Sequence, residues 1–181
     1  MHRLPLLNKL RDYHPHDHRE RDMYEMLIRF VDAESDCFDR ALPIGHITGS
    51  AWIIDTTRTR TLLTHHFKLD RWLQLGGHAD GDADILRVAL REAREESGIE
   101  GVRPLSESIF DVDVHPIPAR GTEPRHLHYD VRFLLEADAA APLVVSGESK
   151  ALAWVALADI TEYTTEQSII RMVTKALAWQ K

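Results

Sequence analysis

The chain has 181 residues, enough for one well-cored domain, and its 44% apolar and 28% charged content is that of a globular protein rather than a disordered one. Acidic residues outnumber basic ones, 29 to 22, which argues against a nucleic-acid partner because phosphates are neutralised by Lys and Arg. The single cysteine, Cys37, allows no intramolecular disulfide and no multi-cysteine zinc cage, and no apolar run approaches the roughly 20 residues that span a bilayer.

The opening Met-His-Arg-Leu-Pro lacks the apolar core of a secretory signal, and His2 stands where myristoylation needs glycine, so the cytoplasm is the expected compartment and no membrane partner is expected. With no repeat or linker, one domain is expected over 1–181, with a helical extension over 1–42 ahead of a core over 43–181. His14-Pro15-His16-Asp17 reads as a break, and Asp17 with Glu20 has capping-box spacing. Met23, Met26, Leu27, Phe30 and Val31 then share one face of a helix from about Asp17 to about Glu34.

The period changes in the middle. His46–Asp55 and Thr61–His65 read as strands joined by the turn Thr56–Arg60. Trp72–Leu75 is a short strand ending at Gly76-Gly77, and a helix over about Asp84–Ser97 stops at Gly98. Two alternating strands follow. One sets Phe110, Val112 and Val114 against Asp111, Asp113 and His115; the other sets Leu127, Tyr129, Val131 and Phe133 against His126, His128, Asp130 and Arg132. Between them Pro116, Pro118, Gly121 and Pro124 predict an irregular loop. Ala151–Leu157 is a last strand, and Ile169, Ile170, Met172, Val173, Ala176 and Leu177 mark a closing amphipathic helix. The fold class is mixed α/β or α+β.

Chemistry concentrates on the helix after the glycines. At about 100° per residue, Ile85, Val88 and Ala89 point the same way as Glu92, Glu95 and Glu96, so an apolar stripe turns acidic in its second half. Carboxylates three and four residues apart repel, and a helix C-terminus disfavours them further. Arg91 and Arg94 project to another side on this spacing. A divalent ion is the simplest remaining compensation, and an all-oxygen donor set suits Mg²⁺ or Mn²⁺.

Residues Gly77–Ile99, including Arg91-Glu92-Ala93-Arg94-Glu95-Glu96-Ser97-Gly98-Ile99, closely resemble the Nudix box, Gx5Ex7REUxEExGU with U aliphatic. One position departs: Ala83 stands where the first glutamate is usual, flanked by Asp82 and Asp84, either of which has a carboxylate to reach that place with a shorter arm. The resemblance implies an α/β/α sandwich around a mixed sheet, and hydrolysis of a nucleoside diphosphate linked to another moiety or a related diphosphate compound. It further implies that Glu92, Glu95 and Glu96, with the carbonyl of Gly76, hold Mg²⁺ or Mn²⁺, and that Arg91 orients the glutamates by ion pairing. Metal ions neutralise charge on phosphoryl oxygens and supply a hydroxide-like nucleophile at neutral pH. Glu92 within the box and Glu148 outside it are the two candidates for the general base.

The 11 histidines are unusual. His126 and His128 share a strand face with spacing for two ligands, and His78 directly follows Gly77; these three, with Arg125, Lys68 and Arg71 as phosphate contacts, are the candidate substrate-binding residues. A histidine-only zinc site is the other reading of the cluster. Two further functions stay open: a binding or regulatory module of Nudix type without catalysis, which Ala83 encourages, and a diphosphate isomerase, which needs an active-site cysteine where this chain offers only Cys37. Dimers are common among such folds, though no feature of the sequence demands a homodimer.

Overall fold

The computed structural model describes residues 2–121 and 124–179. Two helices, α1 (Leu4–Arg11) and α2 (His18–Ala33), precede a sheet built from β1 (Gly45–Asp55), β2 (Arg60–His66), β3 (Arg71–Leu73), β4 (Leu75–His78), β5 (Arg103–Pro104), β6 (Asp111–Ile117), β7 (His126–Ala137) and β8 (Ser149–Ala156). Helix α3 (Ile85–Ser97) follows β4; a 3₁₀ turn, α4 (Ile160–Tyr163) and α5 (Gln167–Ala178) close the chain. Among the described residues no helix is long and apolar enough to cross a membrane.

The sheet is mixed. Strands β1 and β7 run parallel over their whole length, from Gly45 opposite Leu127 to Asp55 opposite Ala137, and every other pairing is antiparallel. Such a register leaves both central strands buried on both sides. Ile47, Ala51, Tyr129, Val131 and Phe133 face one core with α1, α2 and α3, while Trp52, Ile54 and Leu134 face a second core with Ile169, Met172, Val173 and Ala176 of α5. This is the expected three-layer α/β/α arrangement. Helix α1, which hydrophobic spacing did not reveal, buries Leu6, Leu7 and Leu10 in the first core.

Several local readings need correction. The strand expected at Trp72–Leu75 is two strands, because the chain changes partner at Gln74: β3 pairs with β2, and β4 with β1. The loop between the alternating strands starts later than its prolines imply. Pro116 is still in β6, an edge strand, where a missing N–H is tolerated. The capping box at Asp17 is half formed. Asp17 accepts from the Glu20 N–H at 2.8 Å, but Glu20 turns inward to accept from the His16 N–H, the Tyr13 hydroxyl and Lys175.

That inward turn belongs to a buried ionic network. Arg132, 3% exposed, donates to Asp111 and Asp113 at 3.1 Å and to Asp130 at 2.7 Å, while Arg171 and Lys175 of α5 also reach Asp111. The polar side of β6 and β7 is therefore filled by opposite charges, from Arg132 of β7 and from Arg171 and Lys175 of α5. Burial raises the Asp111 carboxyl, but the Arg171 hydrogen bonds and the charges of Arg132 and Lys175 win, and its pKa is driven far below the ordinary value.

Candidate active site

Helix α3 is held at both ends by local chemistry. Asp84 is its N-cap and accepts from the Arg87 N–H, and Gly98 ends it in the left-handed region at φ 73°, where a side chain would be strained. Ile85, Val88, Ala89 and Ala93 bury one face against β1 and β4, as the periodicity predicts. Carrying that face one turn further brings Glu92 and Glu96 against the backbone of β4. The Gly76 N–H points at Glu96 Oε1 at 3.3 Å, and a Cβ added to Gly77 would lie 2.5 Å from the Glu92 carboxyl carbon. Only glycine admits a carboxylate that close to the strand.

Burial orders the three glutamates. Glu96 is 8% exposed, Glu92 is half-buried and Glu95 is exposed. Burial pushes the Glu96 carboxyl up to about 8; the Gly76 N–H opposes the shift, while the charges of Glu92, Glu148 and Glu95 add to it. Burial also raises Glu92, with Arg91 opposing and Glu95 and Glu148 adding. Glu148, on an exposed turn before β8, is thus close enough for its charge to act on both. The chain has gathered negative charge into a half-dry cleft and supplied one cation of its own.

That cation is Arg91. It does not project away from the carboxylates as the helical spacing implied: its guanidinium pairs with Glu92 at 2.6 Å and donates to the His78 carbonyl at 2.9 Å, tying α3 to β4. Arg94 instead donates to the Val102 carbonyl. The expectation that Asp82 or Asp84 replaces the glutamate missing at Ala83 fails. Asp82 is bonded to Arg87 and to the Asp84 N–H, Asp84 is spent on the helix cap, and Ala83 packs against the core.

The other candidates separate. Lys68 is exposed on the β2–β3 turn, beside Phe67, whose N–H bonds the Glu148 carbonyl, so its turn is tied to the Glu148 segment. Arg71 is paired with Glu166 at 2.6 Å, and Arg125 is exposed at the start of β7. His78, His126 and His128 lie elsewhere. Side chains alternate along a strand, and a Cβ on Gly49 or Gly77 would meet α3, so His46 and His78 point away from it. There the His46 ring centroid lies 4.9 Å from that of His78, 5.0 Å from His126 and 4.8 Å from His128, with the rings tilted against one another. The sequence reading missed His46, because only the parallel register opposite His128 brings it into the cluster. Burial lowers the His46 pKa to about 4 and carries His128 lower still, each helped by neighbouring histidines. Cys37 is fully buried in the first core, where burial raises its thiol to about 11, far from the reactivity an isomerase would need.

Comparison with known proteins agrees with the fold. A NUDIX domain profile matches residues 46–176. Comparison with curated proteins returned no match. Among solved structures, an Ap4A hydrolase from C. elegans in a binary complex is similar at 19% identity and a TM-score of 0.59, over 73% of this chain and 95% of that one. A MutT NUDIX hydrolase from Burkholderia pseudomallei is similar at 24% identity and 0.55, over 72% and 97%. The E. coli dihydroneopterin triphosphate pyrophosphohydrolase is similar at 15% and 0.55, over 71% and 92%.

Proposed function

The chain belongs to the Nudix family, and from that premise we propose that it is a divalent-metal-dependent hydrolase that cleaves the diphosphate bond of a nucleoside diphosphate linked to another moiety, or of a related compound. One observation carries this reading: two carboxylates, Glu92 and Glu96, are held half-dry against the Gly76-Gly77 backbone with too little positive charge to balance them. Burying like charges together is costly unless a cation joins them. The donor set is all oxygen, which fits Mg²⁺ or Mn²⁺ better than a softer ion.

Glu92, Glu95, Glu96 and the Gly76 carbonyl would hold the metal. Bound there, it would neutralise charge on phosphoryl oxygens and lower the pKa of water. Arg91 fixes Glu92 by a direct ion pair and anchors the strand through the His78 carbonyl, so both sides of the cleft keep their spacing. Glu92 is thereby occupied. Glu148, exposed and facing the same charge cluster, is the group free to take a proton from the attacking water. Lys68, on the turn bonded to the Glu148 segment, is placed to meet a phosphate entering from solvent.

The purified chain with Mg²⁺ or Mn²⁺ is to be tested against nucleotide sugars, dinucleoside polyphosphates, ADP-ribose, coenzyme A and nucleoside triphosphates. Release of a mononucleotide or phosphate-bearing product from at least one is expected, and Glu95→Gln and Glu96→Gln should each abolish most of it. Equal inertness of wild type and variants, with no Mg²⁺ or Mn²⁺ binding by calorimetry, would replace this reading with a non-catalytic binding module.

A further inference from the structure

We propose that His46, His78 and His128 form a binding site for one divalent transition-metal ion of the zinc type, on the face of the sheet opposite the acidic cleft. Three strands converge there. His46 on β1 is the register partner of His128 on β7, and His78 on β4 sits opposite Thr48, two residues along β1 on the same face. One ring nitrogen from each lies within 4.8 Å of the other two.

A packing role does not account for these rings. His46 is 1% exposed, yet neither of its nitrogens has a hydrogen-bond partner, and the buried Nε2 of His128 has none either. Leaving such groups unsatisfied is costly, and one ion would engage one nitrogen of each ring. Imidazole nitrogens suit Zn²⁺ and its softer neighbours, and three histidines with a fourth position for water are a known zinc arrangement. Zn–N bonds of about 2.0–2.1 Å place ligand nitrogens about 3.3 Å apart, so the rings must close inward. His78 is half-buried at the rim and has the room to move.

Arg40 controls that movement. Its guanidinium is hydrogen-bonded to His78 Nδ1 and paired with Asp80 at 2.7 Å, and its side chain is exposed. A cation at the mouth repels an incoming ion, so loading requires Arg40 to swing into solvent. Because His78 directly follows Gly77 and its carbonyl accepts from Arg91, an ion here would also stiffen the strand that faces the glutamates. The imidazole set and the carboxylate set differ in hardness, so Zn²⁺ binding is measurable with the acidic cleft saturated by Mg²⁺.

The test titrates Zn²⁺ by calorimetry, and Co²⁺ by its visible d–d bands, into the full chain under excess Mg²⁺. One Zn²⁺ per chain is expected, with the intense Co²⁺ bands of a four-coordinate site of three nitrogens and one water. His78→Gln and His128→Gln should each weaken Zn²⁺ at least tenfold, Arg40→Ala should tighten it several-fold, and Glu95→Gln/Glu96→Gln should leave it unchanged. His78 is only half-buried, so its variant carries the test even if a His46 variant fails to fold, with circular dichroism as the check. No Zn²⁺ uptake, uptake indifferent to His78→Gln and His128→Gln, or uptake lost only in the glutamate variant overturns the site. Hydrolysis of the substrate panel reports on the glutamate cleft separately.

Discussion

Gly77 and Glu92 approach so closely that a methyl group on the glycine would lie 2.5 Å from both the carboxyl carbon and one carboxyl oxygen of the glutamate. The obstructing atoms are the end of a flexible side chain, so Gly77→Ala is expected to leave stability within about 1 kcal/mol of wild type. The cost falls on function. Glu92 must swing off the strand and loosen its pair with Arg91, so Mg²⁺ affinity and kcat/KM should each fall at least tenfold. Urea unfolding beside a Mg²⁺ titration separates the two effects; a variant that unfolds early but binds Mg²⁺ normally would contradict this geometry.

Glu96 makes a second separation available. Glu96→Gln keeps an acceptor for the Gly76 N–H while removing a buried carboxyl whose ionisation the site opposes. The metal-free variant should therefore melt no lower than wild type. At 100 times its Kd, Mg²⁺ stabilises a folded chain by about 2.7 kcal/mol, which is roughly 5–10 °C in Tm for a chain of this size. That rise is expected in the wild type and absent in the variant, by differential scanning fluorimetry.

The box and its helix were legible because their information is local. Periodicity placed Ile85, Val88, Ala89, Glu92, Glu95 and Glu96 on one face and Gly98 marked the stop; the structure keeps the stop and carries the buried face through Glu92 and Glu96, while Glu95 is exposed. The illegible parts depend on which strands become neighbours. His46 and His128 are 82 residues apart and meet only through the parallel β1–β7 register. Asp111, Asp113, Asp130 and Arg132 fall on the polar side of two alternating strands, but alternation cannot say what covers that side, and α5 brings Arg171 and Lys175 there. Asp84 was misjudged for a different reason: cap and substitute carboxylate are written with the same letter.

Arg132 holds three aspartates inside the fold, and removing one member of a buried ionic group costs about 3–5 kcal/mol. Arg132→Met should destabilise by that order in urea. Its pH dependence should change as well. Native Asp111 and Asp113 hold protons less tightly than the unfolded chain, because Arg132 outweighs burial at Asp113 and joins Arg171 and Lys175 in doing so at Asp111. Their contribution is thus complete above the unfolded carboxylate value near 3.8 and is lost as pH falls below it. Without Arg132 both native pKa values rise toward the unfolded one, and the fall in stability as pH drops below about 4 should flatten or reverse, relative to wild type measured alongside.

Asp84 tests whether the acidic residues beside Ala83 serve the helix or the metal. Its side chain caps α3 by accepting from the Arg87 N–H at 3.2 Å, and Asp82 is bonded to Arg87 and to the Asp84 N–H. Loss of an N-cap costs roughly 0.5–2 kcal/mol, and serine restores most of it. Asp84→Ala should therefore destabilise by about 1 kcal/mol, Asp84→Ser by much less, and neither should change Mg²⁺ affinity beyond twofold. A metal ligand would behave otherwise: serine, lacking the carboxylate, would lose Mg²⁺ as badly as alanine while keeping the fold. Urea midpoints and Mg²⁺ calorimetry on the two variants together tell these roles apart.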